Sequence, residues 1–108
     1  MAHYLIEVAY TSEAWAAQVS SPQNRIEAIR PVIERLGGRI ESAYYAFGEY
    51  DVVGIMEMPD HVSAAAFSLA VSAGRAVKAI KTTPLLTIDD GIAAMQKAAG
   101  AGYRPPSG

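Results

Sequence analysis

The side chains able to do chemistry in this 108-residue chain fall into a few groups. Tyr50 and Asp51 stand side by side in the run Gly48-Glu49-Tyr50-Asp51. A carboxylate there can act as a base or anchor at a pocket rim, with the phenol orienting a substrate by hydrogen bond. The same four residues also suit a turn, in which glycine takes a positive φ and Asp51 caps backbone N–H groups or pairs with Arg25. Tyr4, Tyr10, Tyr44, Tyr45, Tyr50 and Trp15 are many aromatic groups for so short a chain. They suit a pocket for an aromatic ligand, with Trp15, Arg25, Tyr44, Tyr50 and Asp51 as its candidate binding residues, and equally suit core or interface packing.

The remaining candidates are weaker. His3 and His61 are the only imidazoles, and neither has a partner at a metal-ligand spacing. A haem ligand or general base is one reading of each; an exposed or capping histidine is the other. Glu7 and Glu57 fall on one face of neighbouring strands, where repulsion would raise one pKa and create an acid/base pair. Lys81 can instead neutralise them. Two glutamates without histidine or further carboxylates make a poor transition-metal site, so neither metal nor cofactor is expected. No Ser–His–acid set, P-loop or dinucleotide glycine fingerprint is present.

The elements that must position these groups follow from periodicity. His3 to Tyr10 alternates as a strand, with Tyr4, Ile6, Val8 and Tyr10 facing a core. Thr11 or Ser12 caps a short helix through Glu13, Trp15 and Gln18. Ser21 with Pro22 starts a longer helix, whose Ile26, Ile29, Ile33 and Leu36 form one stripe, closed by Gly37-Gly38. Pro31 inside it predicts a kink. Strand two sets Ile40, Ser42, Tyr44 and Ala46 against Glu41, Ala43, Tyr45 and Phe47. Strand three sets Val52, Gly54, Met56 and Met58 against Asp51, Val53, Ile55 and Glu57. Gly48 to Asp51 is then a hairpin tip. A third helix is expected to bury Val62, Ala66, Leu69 and Ala73 and to close at Gly74. Val77 to Leu86 is a fourth strand, and Ile92 and Met95 are expected to anchor a last short helix begun at Asp89-Asp90. Residues 1–98 then make one domain, and residues 99–108 a flexible Gly- and Pro-rich tail.

The order βαββαβ plus a terminal helix is the ferredoxin-like α+β arrangement, with both main helices on one side of an antiparallel sheet. Leu5, Val53, Ile55 and Val77 are expected on the other side, where they are too apolar to face water. A chain this short buries only about 65% of the surface its unfolded form exposes. Both points call for a homodimer, or a larger homo-oligomer, with sheets stacked face to face. The net charge of −2 and the lack of a basic stripe argue against nucleic acid. No apolar run is long enough for a membrane span, and no basic-then-apolar leader is evident, so a soluble cytoplasmic protein is expected. The absence of cysteine excludes disulfides and thiolate metal sites.

Gly48, Tyr50 and Asp51 at that hairpin tip, the Gly37-Gly38 pair, and Ser21-Pro22 with Arg25 resemble the GYD-domain family over roughly Tyr4 to Asp89. That family consists of small bacterial proteins of the dimeric α/β-barrel superfamily. The resemblance implies a pocket between the sheet and helices of each subunit, and no settled activity. Relatives across the superfamily include cofactor-independent monooxygenases, lactone isomerases, haem-binding enzymes and ligand-sensing domains, so fold alone does not select among them. Two functions are therefore expected. One is a protein binding an aromatic or quinone-like small molecule, with a cofactor-independent enzyme as its extension. The other is a non-enzymatic structural or regulatory assembly module built on the Ala- and Ser-rich third helix.

Overall fold

A computed structural model describes residues 1–107; Gly108, the last residue of the expected tail, lies outside the described residues. The elements run β1 (Ala2–Tyr10), α1 (Ser12–Ser20), α2 (Arg25–Arg35), β2 (Arg39–Tyr45), β3 (Val52–Met58), α3 (His61–Ala73), β4 (Val77–Leu85) and α4 (Ile88–Ala99). The four strands form one antiparallel sheet in the order β2-β3-β1-β4. Helix α2 lies over β2, and α3 over β3 and β4. This is the ferredoxin-like arrangement. No helix among the described residues is long and apolar enough to cross a membrane.

Alternation on β1 decides the two faces. Tyr4 and Ile6 point into a core completed by Ile33, Met56, Met58, Ala64 and Phe67. Tyr4 is almost wholly enclosed, and its hydroxyl is satisfied by Nδ1 of His61 at 2.6 Å. A buried phenol without such a partner would carry a desolvation cost, so His61 serves the core of β1 from the first turn of α3. Asp60 caps that turn by accepting the Ser63 amide at 2.7 Å, which holds its carboxyl below the usual range. Ser68 and Thr82 share a hydroxyl hydrogen bond of 2.5 Å that fastens α3 to β4.

Several expectations from the sequence are corrected. Strict alternation along strand two fails because the register shifts between Ile40 and Ser42. That β-bulge places Ala43 opposite Gly54 and Tyr45 opposite Val52, on the helix side, and turns Ser42 and Tyr44 to the open face. A second irregularity after Ala9 pairs Val77 with Tyr10, so Val77 faces the helices and not the open side. Helix α2 is capped by Asn24, whose side chain accepts the Glu27 amide, and not by Ser21; Pro22 lies outside the helix. Pro31 lies inside α2, as expected, and the helix runs on to Arg35. Helix α3 buries Ala64 and Phe67, with Val71 packed beside them, and leaves Val62 and Leu69 exposed. Near its middle the pattern of apolar residues is nearly continuous, so periodicity could not say which stripe faces in. Ile92 and Met95 of α4 are exposed and, among the described residues, do not join the core cluster. At the β2–β3 tip the left-handed residue is Phe47 and not Gly48, whereas Gly37 is left-handed at the end of α2 and Gly74 caps α3, both as expected.

The glycines then separate by what surrounds them. A Cβ on Gly38 would overlap the Glu57 carbonyl oxygen and the Met58 sulfur, whereas one on Gly48 would meet open space. Gly38→Ala should destabilise the chain by about 2 kcal/mol or more. Gly48→Ala should be neutral or stabilising by about 0.5 kcal/mol, because it restricts only the unfolded chain. Urea denaturation of the two variants checks both.

Candidate functional site

The two long helices do not close over the whole sheet. At the end where β1 begins, Tyr4, Met56, Met58, Ile33 and Phe67 fill the space between sheet and helices. Toward the other end the facing residues are small: Ala43, Gly54, Ala70, Gly74 and Ala76. A cavity of about 330 Å³ remains there, between α2, α3 and the sheet. Its walls are mostly Ile and Val side chains, with the Tyr10 phenol and the Arg25 guanidinium as the main polar groups. Gly54 is required by the bulge, since a Cβ there would come within 2.7 Å of the Ser42 carbonyl oxygen.

An aromatic shelf adjoins Tyr10. Trp15 meets Tyr10 edge to face at 5.3 Å and stacks on Phe47 at 6.3 Å, while Tyr45 and Phe47 stack at 5.7 Å. Asp51 holds this group in place. Its Oδ2 accepts the Tyr10 amide at 2.9 Å and the Trp15 indole N–H at 3.2 Å. Its own amide donates to the Val8 carbonyl at 2.7 Å. One carboxylate thus joins the end of β1, helix α1 and the hairpin between β2 and β3. Burial pushes the Tyr10 phenol above its usual pKa; nearby Tyr45 and Asp51 add to this and Arg25 opposes it. Tyr10 is therefore a neutral hydrogen-bond donor at physiological pH. Arg25 hydrogen-bonds the Gln23 side chain at 3.4 Å and, among the described residues, has no carboxylate partner within 4.0 Å.

The candidate residues named from sequence are spread over this end of the molecule. Arg25 lines the cavity; Trp15 and Asp51 stand beside it through Tyr10. Tyr50 belongs to a shallow recess on the opposite, open face, with Gly48, Glu49, Glu7 and Lys81. Tyr44 is also on the open face and is largely exposed. Glu7 pairs across β1 and β4 with Lys81, while Glu57 sits opposite His3. Glu57 is bound by Arg39 and lies 3.8 Å from Nε2 of His3, whose Nδ1 is 3.0 Å from Glu41. The two glutamates are thus four register positions apart, and of the two only Glu57 is in an ion pair among the described residues. Among the described residues, no three His, Cys, Asp or Glu side chains gather at metal-binding distances. Phe47 was not singled out from sequence, although its alternation with Tyr45 was the available signal. The small residues that leave the cavity open carried no such signal, because only packing reveals what alanine and glycine fail to fill.

Fold and site together define a ferredoxin-like α+β protein with an apolar cavity under its helices. The GYD domain family matches residues 4–95, and the chain belongs to that family. Among solved structures, one described as the crystal structure of FFRP-DM1 is similar at 14% identity with a TM-score of 0.50, covering 80% of this chain and 100% of that one. At that identity the likeness concerns the fold. A search of curated proteins finds no match.

Two predictions follow from this geometry. Asp51→Ala leaves the Tyr10 amide and the Trp15 indole without their acceptor and should cost about 2 kcal/mol or more, with a red shift of Trp15 emission. Asp51→Asn keeps an acceptor oxygen and should retain most of that stability, as denaturant titration will report. The second concerns Glu57, whose hydrogen bond to Arg39, followed by charge attraction from Arg39 and His3, holds its carboxyl below the usual range. Its stabilisation is complete above the unfolded carboxylate pKa of about 4.3 and is lost as pH falls through the lower folded value. Glu57→Gln should flatten the decline in melting temperature between about pH 5 and about pH 3.

Proposed function

We propose that this GYD-domain protein binds a small, largely apolar molecule of aromatic or quinone-like character in the cavity beneath α2 and α3. The observation that carries this reading is the cavity itself. Its volume of about 330 Å³ falls at the lower end of the ~300–1,000 Å³ typical of small-molecule sites. Aliphatic walls suit the faces of a flat ring, and two donors at one end suit a carbonyl or phenolate oxygen. Arg25 supplies the charge and Tyr10 a neutral phenol. As a cofactor-independent enzyme, the same pair would stabilise negative charge developing on that ligand oxygen. We also infer a homodimer in which the open sheet faces of two copies stack. The half-buried Leu5, Val53 and Ile55 on that face support it.

Trp15 is the only tryptophan and packs on Tyr10, so its fluorescence reports on the cavity. Titration with 1,4-naphthoquinone should quench Trp15 emission saturably. Arg25→Met should weaken that binding by about tenfold or more, the worth of a charge-assisted hydrogen bond. Val71→Phe should fill the cavity and abolish saturable quenching while the protein stays folded. Quenching that is linear in quinone, or indifferent to Val71→Phe, would refute the reading.

The second reading, an assembly module, is favoured by one observation: the apolar stripe of α4 is left exposed among the described residues. The two readings concern different surfaces and are compatible.

A further inference from the structure

Helix α4 leaves the body of the molecule. The radius of gyration is 17.5 Å and the longest dimension 57 Å, against about 13 Å expected for the radius of a compact domain of this length. A lone helix of this size is marginal in water, and Gly91 weakens it further. Yet α4 is well capped by Thr87 and strongly amphipathic. Its apolar stripe is Ile88, Ile92, Met95 and Ala99, at spacings of four, three and four residues. The outer face of α3 carries a second stripe at the same spacings: Val62, Ala66, Leu69 and Ala73. Ile88, Met95, Val62 and Leu69 are between 71% and 83% exposed.

Size and charge select one way of joining the two stripes. Antiparallel, Ile88 meets Ala73, Ile92 meets Leu69, Met95 meets Ala66 and Ala99 meets Val62. Three of these contacts set a large residue against a small one, as interlocking helix surfaces require. Parallel, Ile88 meets Val62, Met95 meets Leu69, and Ala99 meets Ala73, which crowds two positions and leaves one empty. The antiparallel arrangement also brings Asp89 and Asp90, at the start of α4, within a turn of Arg75 at the end of α3. It brings Lys97, near the end of α4, within a turn of Asp60 at the start of α3.

The chain cannot make this contact with itself. Leu85 pairs with His3 and Met58 with Ala2, so β4 ends at the sheet edge where α3 begins. Ala73 lies about 18 Å along α3 from that end. Leu86 and Thr87 let Ile88 reach only about 10 Å from Leu85. We infer that α4 of one copy packs antiparallel along the outer face of α3 of a second copy. The occupant of that face is therefore this chain's own terminal helix, and the contact is separate from the stacking of open sheet faces.

The chain contains no cysteine, so thiols can be placed at will. Ala73→Cys and Ile88→Cys, both at exposed positions, are prepared as separate full-length proteins, one carrying a size tag, then mixed and treated with a short bismaleimide. The linked heterodimer should form in high yield. The Val62→Cys and Ile88→Cys mixture, which reports the parallel arrangement, should give several-fold less. Leu69→Glu added to the Ala73→Cys protein should reduce the first yield to the level of the second. Equal yields from the two mixtures, or a yield that Leu69→Glu leaves unchanged, would overturn the inference.

Discussion

The Oδ2 atom of Asp51 accepts both the Tyr10 amide and the Trp15 indole N–H, and so ties three segments far apart in sequence into one corner. Without that acceptor, two donors would be left without their partner and the tip between β2 and β3 would lose its hydrogen bond to α1, keeping only the stacking of Phe47 on Trp15. Tyr10 would lose the contact that fixes it between the shelf of Trp15, Tyr45 and Phe47 and the cavity. The aromatic groups are held by a carboxylate and not by deep burial. That explains how Phe47 can stay largely exposed and still stack on both Trp15 and Tyr45.

The cavity exists because the two ends of the same sheet are packed with residues of different size. Tyr4, Met56, Met58 and Phe67 fill one end; Ala43, Gly54, Ala70 and Gly74 leave the other open. Protein interiors close such gaps when side chains can reach them, so an unfilled apolar space costs stability unless something occupies it. The bulge in β2 changes which residues face the cavity: Ala43 takes the inward place opposite Gly54 that strict alternation would have given to Ser42, and Tyr45 the place opposite Val52 that it would have given to Tyr44.

Polar groups divide the labour in the same regional way. The edge where β1 begins carries an ionic cluster of His3, Arg39, Glu41 and Glu57. The opposite end carries Arg25 without a carboxylate partner among the described residues. A guanidinium left unpaired beside an apolar cavity is available to a ligand in a way that Arg39 is not. His61 belongs to neither group, being held by the Tyr4 hydroxyl.

The sequence by itself determined the element order, the ferredoxin-like fold, the inward face of β1 and the family resemblance, because these depend on local periodicity, capping and short motifs. It also held the aromatic set and Arg25, though not their arrangement. Tertiary structure alone decided the β2 bulge, the inward stripe of α3, the partner of Asp51 and the cavity. Each depends on which surface lies opposite, and that is a property of packing and not of neighbouring residues. A nearly all-apolar helix such as α3 has no preferred face until the sheet provides one. A bulge of one residue reverses a strand's two faces without changing its composition. The terminal helix shows the same limit: its apolar stripe was legible, but only the geometry of β4 and α3 showed that its own chain cannot cover it in the complementary direction.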